Sequence, residues 1–297
     1  MKVLITGAGG FVGKRLTRRL AGDGHEVFAL MREPPAGPDA GFFKPAGVTV
    51  IHQDLTSLDV SALPDRIEAV ITLAQSSRFR DFPSQAEEVF AVNVTANLQI
   101  LQWAVAAGVK RFVHASSGGI YGGKRGGQFL ETDLLAVDSP LGFYLGSKLC
   151  SEVVLQNYRN FFETMVILRP FFIFGPGQRS DMFVSRIIES VRLGRPISLQ
   201  GKDGLRMNPI FVEDAVTAFQ RAIGLGGHHV VNVAGSDILS LRQMSELIGA
   251  ELHRTPVFES RPGEVVDYVA DIEFSRQGLG LRPRGFADGL RETLASR

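Results

Sequence analysis

The stretch KVLITGAGGFVG, residues 2–13, decides how the chain folds. Lys2 to Thr6 are mostly β-favouring and apolar, and read as a strand. The pattern FVGKRLTRRLAG, residues 11–22, reads as an amphipathic helix that ends near Gly22 and Gly24. Between strand and helix stand Gly7, Gly10 and Gly13. Gly7 permits a tight turn, Gly9 and Gly10 let backbone approach a pyrophosphate, and Gly13 lets the helix lie close to the sheet. The helix N-terminus adds unpaired N–H groups and the positive end of its dipole. Strand, glycine turn and helix in this order predict a dinucleotide-binding unit.

Further strand-like runs follow: EVFALM (26–31), VTVIHQD (48–54), AVITLA (69–74), RFVHAS (111–116) and TMVILRP (164–170). Helical patterns cover 84–107 and 142–162. This alternation predicts an α/β fold, a doubly wound parallel sheet with its ligand crevice at the strand carboxyl ends. After Pro170 the elements shorten. PIFVEDAVTAFQRAI (209–223) reads as strand into helix and HVVNVAG (229–235) as a strand, both expected to return to the main sheet. The expected organisation is a dinucleotide-binding domain of 1–170 plus 209–235. A smaller C-terminal substrate lobe would comprise 171–208 plus 236–297. REPPAGPDAG (32–41) reads as a surface loop.

At 297 residues the chain suits one large or two unequal domains. A net charge of +1 gives no global field for nucleic acid or a membrane surface, so a small-molecule partner is expected, with no nucleic acid and no membrane. No apolar run reads as long enough to span a bilayer, and the apolar part of the N-terminus is too short for a signal peptide. One cysteine, Cys150, fits a reducing compartment, and a cytoplasmic location is expected. His228 and His229 lack partners at metal-ligand spacing, so no metal is expected.

The chemistry centres on FYLGSK, residues 143–148. Tyr144 and Lys148 are four apart and share a helix face. An ammonium beside a phenol lowers its pKa and makes it a usable general acid/base. Lys148 can also bond a nicotinamide ribose. Ser116 and Ser117 end a strand at the ligand edge, where a hydroxyl either meets a substrate oxygen or bonds its own backbone. Met31 stands where NAD-binding strands usually end in an acid, and Arg32 follows. A guanidinium there either grips a 2′-phosphate, which favours NADP over NAD, or begins a solvated loop. Asp54 is either an acceptor for the adenine amino group or an N-cap.

Together these features resemble an extended short-chain dehydrogenase/reductase of the NAD-dependent epimerase/dehydratase family, whose members act on nucleotide sugars. The similar segments are TGAGGFVG (6–13), NVTANLQIL (93–101), SSGGIYG (116–122), YLGSK (144–148), LRPFFIFGPGQ (168–178), NPIFVEDAV (208–216) and RPGEVVDYVADIEFSRQGLG (261–280). The resemblance implies a Rossmann fold, an NAD(P) cofactor and a homodimer built through helices 84–107 and 142–162. It implies catalysis by Ser117, Tyr144 and Lys148. The implied cofactor site comprises Gly7, Gly10, Phe11, Val12 and Gly13, then Leu55, Leu73, Ala74 and Asn93, with Tyr144, Lys148 and Pro170. Arg32 and Asp54 complete it on the reading above. Substrate contacts fall to Ser117, Phe172, Arg206, Asn208 and Arg261.

Departures narrow the chemistry. Gly118 and Gly119 stand where dehydratases of the family carry Asp-Glu, which argues against elimination of water. Phe172 replaces a frequent Asn and removes a polar substrate contact. GGKRGGQ (122–128) either closes over substrate or is a surface turn. The expected activity is epimerisation of a nucleotide sugar, commonly at C4, by hydride transfer through a keto intermediate. The alternatives are an NADPH-dependent reductase of a keto sugar or other carbonyl compound, and a non-catalytic nicotinamide-nucleotide-binding protein.

Overall fold

The computed structural model describes residues 1–33, 47–137 and 141–296. Most of the expected 32–41 loop, residues 34–41, lies outside the described residues. In chain order the elements are β1 (Lys2–Thr6), α1 (Gly13–Gly22), β2 (Glu26–Met31), β3 (Val48–His52), β4 (Ala69–Thr72), α2 (Ala86–Phe90), α3 (Ala96–Ala106) and β5 (Arg111–Ala115). Then come α4 (Gly142–Tyr158), β6 (Thr164–Pro170), β7 (Ile173–Phe174), α5 (Phe183–Arg192), β8 (Ile197–Gln200), β9 (Arg206–Met207), β10 (Ile210–Phe211) and α6 (Val212–Ala222). The chain closes with β11 (Gly227–Val233), β12 (Leu239–Ser240), α7 (Leu241–Leu252), β13 (Phe258–Arg261), α8 (Glu273–Gln277) and α9 (Phe286–Ala295).

Two compact units result. The first comprises 1–120, 136–169 and 216–231, and the second 121–135, 170–215 and 232–297. The division differs from the expected domain boundaries chiefly at 121–135, which groups with the second unit.

The first unit is organised by a seven-stranded sheet of order β3-β2-β1-β4-β5-β6-β11. The pairings from β3 to β6 are parallel. Buried apolar runs make it so: Val3, Leu4 and Ile5 of β1 and all four residues of β4 are inaccessible on both faces, as helix-covered parallel strands require. One core cluster joins Leu4, Val70, Ile100, Leu101, Phe112, Leu155 and Phe162. Strand order reverses at β1, which pairs with β2 on one side and β4 on the other. The crevice at that reversal is where such sheets bind ligands, and the Gly7 turn opens there.

Helical backbone runs from Ala86 to Ala106, but residues 91–95 form a π segment. Its widened turn exposes the Asn93 carbonyl, which accepts from Asn97 Nδ2 at 2.6 Å and from the Ser151 hydroxyl. Contrary to the sequence expectation, this 21-residue stretch is long and apolar enough by composition to cross a bilayer. Its apolar face instead fills the core through Ile100, Leu101 and Ala104. Residues 209–211 do not return to the main sheet as expected. The two-residue β10 pairs with β7, Ile210 opposite Ile173, because an element this short has too few ladder bonds to extend a long sheet.

The second unit contains three small sheets: β7 with β10, β8 with β13, and β9 with β12. Its helix α7 is started by a capping box between Ser240 and Gln243.

Candidate active site

The glycine turn is dictated by sterics. Gly7 has φ +68°, and a Cβ there would lie 2.7 Å from Ala74 N; at Gly13 it would lie 2.1 Å from the Gly7 carbonyl oxygen. No side chain fits either place. Gly9 and Gly10 are exposed, and Val12 precedes α1 without a side-chain cap. Lys14 N donates to the Gly10 carbonyl at 3.0 Å, and the uncapped end of α1 turns the positive end of its dipole toward the glycine turn. The Phe11 carbonyl accepts from Arg15 Nη1 at 2.9 Å, and the guanidinium stacks on its ring. Leu73 N and Ala74 N donate to the Thr6 carbonyl and hydroxyl at 3.2 and 3.4 Å, so the segment after β4 lies against the turn. This cradle fits the pyrophosphate of a dinucleotide.

Other expected cofactor residues fall differently. Asp54 caps the short 3-10 helix at Leu55–Ser57, accepting from Thr56 N and Oγ1 at 2.8 Å each. Those bonds hold its carboxyl below its usual pKa, as the N-cap alternative requires. Arg32 is exposed, with Nε 3.7 Å from Glu33 Oε1. Asn93 is buried and joins three segments: its Oδ1 accepts from Ser76 N at 3.3 Å, and its Nδ2 donates to Ser147 Oγ at 2.9 Å.

Tyr144 and Lys148 are both buried on α4. The phenol donates to Gln75 Oε1 at 3.0 Å. The Lys148 ammonium donates to the Ala115 carbonyl at 2.9 Å. The expected lowering of the phenol pKa by lysine does not occur. Burial pushes Tyr144 up to about 12, against smaller downward pulls from the Ser117 hydroxyl and the Arg80 charge. Burial likewise pulls Lys148 down to about 8, with Glu152 acting upward. Glu152 is itself held by Arg169 through two bonds of 3.0 and 2.7 Å, both residues buried. Behind Lys148, His114 shares a 2.7 Å bond with Thr72 and is kept neutral by burial and by the lysine. Ser117 Oγ also accepts from Gly119 N at 3.1 Å, the backbone bond that one of its two readings expects. Ser116 Oγ is buried with no protein partner.

A glycine cradle, a buried phenol and a serine hydroxyl thus share one sheet edge of the first unit. The model of the NAD dependent epimerase/dehydratase family matches residues 3–234. The chain belongs to that family. It is an enzyme of the extended short-chain dehydrogenase type. It is 28% identical over 310 residues to a UDP-glucose 4-epimerase of Mycolicibacterium smegmatis, covering 99% of this chain and 97% of that protein. It is 27% identical to a dTDP-4-dehydro-6-deoxy-D-allose reductase of Streptomyces bikiniensis, covering 98% and 94%. Among solved structures, MoeE5 in complex with UDP-glucose and NAD superposes with TM-score 0.84 at 29% identity, over 100% of this chain and 98% of that one.

In the second unit of this epimerase/dehydratase-family chain, Pro170 ends β6 and Phe172 adopts φ +41°. The Phe172 ring packs 5.3 Å from Phe183 and edge-on to Tyr268 at 6.1 Å. Arg206 is gripped by Asp267, which accepts from its backbone N, Nε and Nη2 at 2.9, 3.0 and 2.7 Å. Asn208 does not present its amide to a ligand. It is buried, with Nδ2 donating to the Ala270 carbonyl and Oδ1 accepting from Ala270 N at 2.9 Å each, which fastens the segment after β9 to the segment before α8. Arg261 ends β13 and is exposed. A cavity of about 750 Å³ is lined by Arg125, Lys202, Arg206, Glu264 and Asp267 among others. The 122–128 loop is tied down: Lys124 and Asp267 exchange backbone bonds of 3.1 and 2.8 Å, and Arg125 pairs with Glu264.

Two residues of these sites had no signal in the motifs, Gln75 and Arg80, and Asp267 lay inside the 261–280 segment without being singled out. Gln75 and Arg80 follow a strand end at the carboxyl edge, the one cue that pointed to them.

Proposed function

We propose that the protein is a 4-epimerase of a UDP-sugar, working with tightly held NAD. The observation that carries this is the buried Tyr144 phenol flanked by Ser117 at the dinucleotide edge, in a chain aligned nearly end to end with a UDP-glucose 4-epimerase. The Gly7–Gly13 cradle would hold the pyrophosphate and Lys148 the nicotinamide ribose. When bound, NAD supplies a hydride acceptor and donor. Tyr144 would take the proton from the sugar 4-hydroxyl as C4 gives up its hydride, and would return it to the same oxygen when the hydride comes back to the other face of C4. Ser117 bonds the same oxygen and orients it. Arg206, Lys202 and Arg261 are the candidates for a diphosphate, and Phe172 lines the substrate lobe.

Dehydration is disfavoured by the sequence, which has Gly118 and Gly119 where an acid pair would stand. A Cβ at Gly119 would lie 2.8 Å from Leu145 Cδ2, so an acid there would also require that side chain to shift. The NADP preference expected from Met31 and Arg32 has no support in the comparison, since the similar MoeE5 structure holds NAD, and Arg32 already has the Glu33 carboxylate beside it. The exposed apolar side chains Phe90, on α2, and Val153, on α4, support a homodimer through these helices. A cytoplasmic setting accords with the single exposed thiol of Cys150.

The 27% identical reductase supports a second reading, reduction of a keto sugar with exchanging cofactor. One experiment separates them. UDP-glucose is incubated with purified protein and no added cofactor, and the C4 epimer is followed by proton NMR. Conversion is expected, with NAD released on denaturation. A strict need for added NADPH would move the assignment to the reductase. Tyr144→Phe is expected to lower turnover by about 10²- to 10⁴-fold with NAD content unchanged; loss below fivefold would remove Tyr144 from the mechanism.

A further inference from the structure

We propose that Gln75 is a positioning residue that partners the Tyr144 oxygen in both of its protonation states. Its amide carbonyl accepts from the phenol, and its amide N–H₂ donates to the phenolate. The first of these bonds is formed in the structure, at 3.0 Å across 69 residues of sequence.

Gln75 is held ready by its neighbours. Leu73 N and Ala74 N are bonded to Thr6. On the other side, buried Ser76 donates from its backbone to Asn93 Oδ1 at 3.3 Å and from its hydroxyl to Glu88 Oε1 at 2.7 Å. The backbone on either side of residue 75 is therefore pinned, while its side chain remains at the solvent-accessible mouth. That side chain can rotate without disturbing the core.

The chemistry explains why an amide suits this place. An epimerase phenol must lose its proton in one half-reaction and regain it in the other. A carboxylate at residue 75 would only accept and would hold the phenol neutral. An ammonium would only donate and would hold the phenolate. A primary amide has one face of each kind, interchanged by rotation about its terminal bond. Ser117, the other neutral group on the phenol, has the same two-sided capacity.

The charged groups around the phenol are few. Arg80 comes from the same segment as Gln75; its guanidinium lies 4.3 Å from the centre of the Phe79 ring, which packs 4.9 Å from the Tyr144 ring. Lys148 lies one turn along α4, with Glu152 beyond it and neutral His114 of β5 behind it. Arg80 does not titrate in the working range, and none of these is altered by changing residue 75.

The inference rests on Tyr144 being the acid/base group, so Tyr144→Phe is run beside the Gln75 variants. With UDP-glucose as substrate, Gln75→Met should lower kcat about fivefold, the worth of one neutral hydrogen bond, with KM and NAD content unchanged. Gln75→Glu should move the limb on which activity rises with pH upward by about one unit, the rate recovering at high pH. The same shift should appear in the ultraviolet tyrosinate titration of the NAD-loaded protein, read against Tyr144→Phe, which needs no turnover. A lesion of folding would neither recover with pH nor move that titration. If both Gln75 variants match the wild type while Tyr144→Phe is inactive, Gln75 has no such role and the Tyr144 assignment stands. If Tyr144→Phe remains active, both fall.

Discussion

Tyr144 with Lys148 in the first unit, and Arg206 with Asp267 in the second, are each a pair of oppositely chargeable side chains. They behave in opposite ways. The first pair is buried, and both members move toward their neutral forms, the phenol up to about 12 and the ammonium down to about 8. In the second, burial pushes Asp267 up but is outweighed by the bonds and charge of Arg206, so its pKa falls. Arg206 rises in turn, through its bond to and charge attraction by Asp267. The Arg206 side chain is 48% exposed, and water supports its charge. A buried ammonium lacks that support and depends on what the protein supplies. The lesson concerns role. On the proposed function, the first pair would serve proton transfer, which needs groups that can give up charge, and Arg206 would serve a phosphate, which needs a group that cannot.

The largest test of this contrast is pH. Lys148 has a folded pKa near 8, below its unfolded value of 10.5. Below pH 8 the folded state carries the full penalty of a buried charge. Between about 8 and 10.5 the unfolded chain binds the extra proton, so stability rises with pH across that window. Lys148→Met removes this slope. Thermal denaturation of variant and wild type from pH 7 to 10.5 should show the wild type gaining on the variant by several degrees. Parallel curves would mean that Lys148 is solvated and ordinary. Tyr144 adds the opposite slope above pH 10, where the unfolded phenol ionises first.

The second pair should give a smaller effect at the other end of the scale. Asp267→Asn removes the charge that Arg206 grips. Because the arginine is half exposed, the expected loss is about 1 kcal/mol, or roughly 2–4 °C in Tm. Asp267 has a depressed folded pKa, so its contribution is present above the unfolded carboxyl pKa and is lost as pH falls through the folded one. The gap between variant and wild type should close in acid and shrink with salt. A gap that persists in both would assign Asp267 a packing role alone.

What was legible in the sequence divides along the same line. Gly7 and Gly13 are dictated by local backbone geometry, and helix spacing places Tyr144 and Lys148 on one face; both follow from a few consecutive residues. The sign of the Tyr144 shift is set by burial, which depends on the whole fold, and it came out opposite to the reading from spacing. Gln75 meets Tyr144 across 69 residues and Asp267 meets Arg206 across 61. No periodicity records such contacts. Asn208 shows the converse: a motif residue whose amide is taken by the Ala270 backbone, a fate that depends on a segment 62 residues away.

Arg32 should give the smallest effect, because it is a surface charge with its own counter-charge. Its side chain is 57% exposed and its Nε lies 3.7 Å from the Glu33 carboxylate. Exposed pairs of this kind are worth about 0–1 kcal/mol, and NAD carries no 2′-phosphate for the guanidinium to hold. Arg32→Ala should therefore leave NAD affinity within about twofold and weaken NADP by no more than a few-fold, measured as Kd for each cofactor by calorimetry. A loss for NADP of more than about tenfold with NAD untouched would show that the guanidinium leaves Glu33 for a phosphate. The second strand would then end in a true NADP selector, and the case for an exchanging reductant at this site would rise with it.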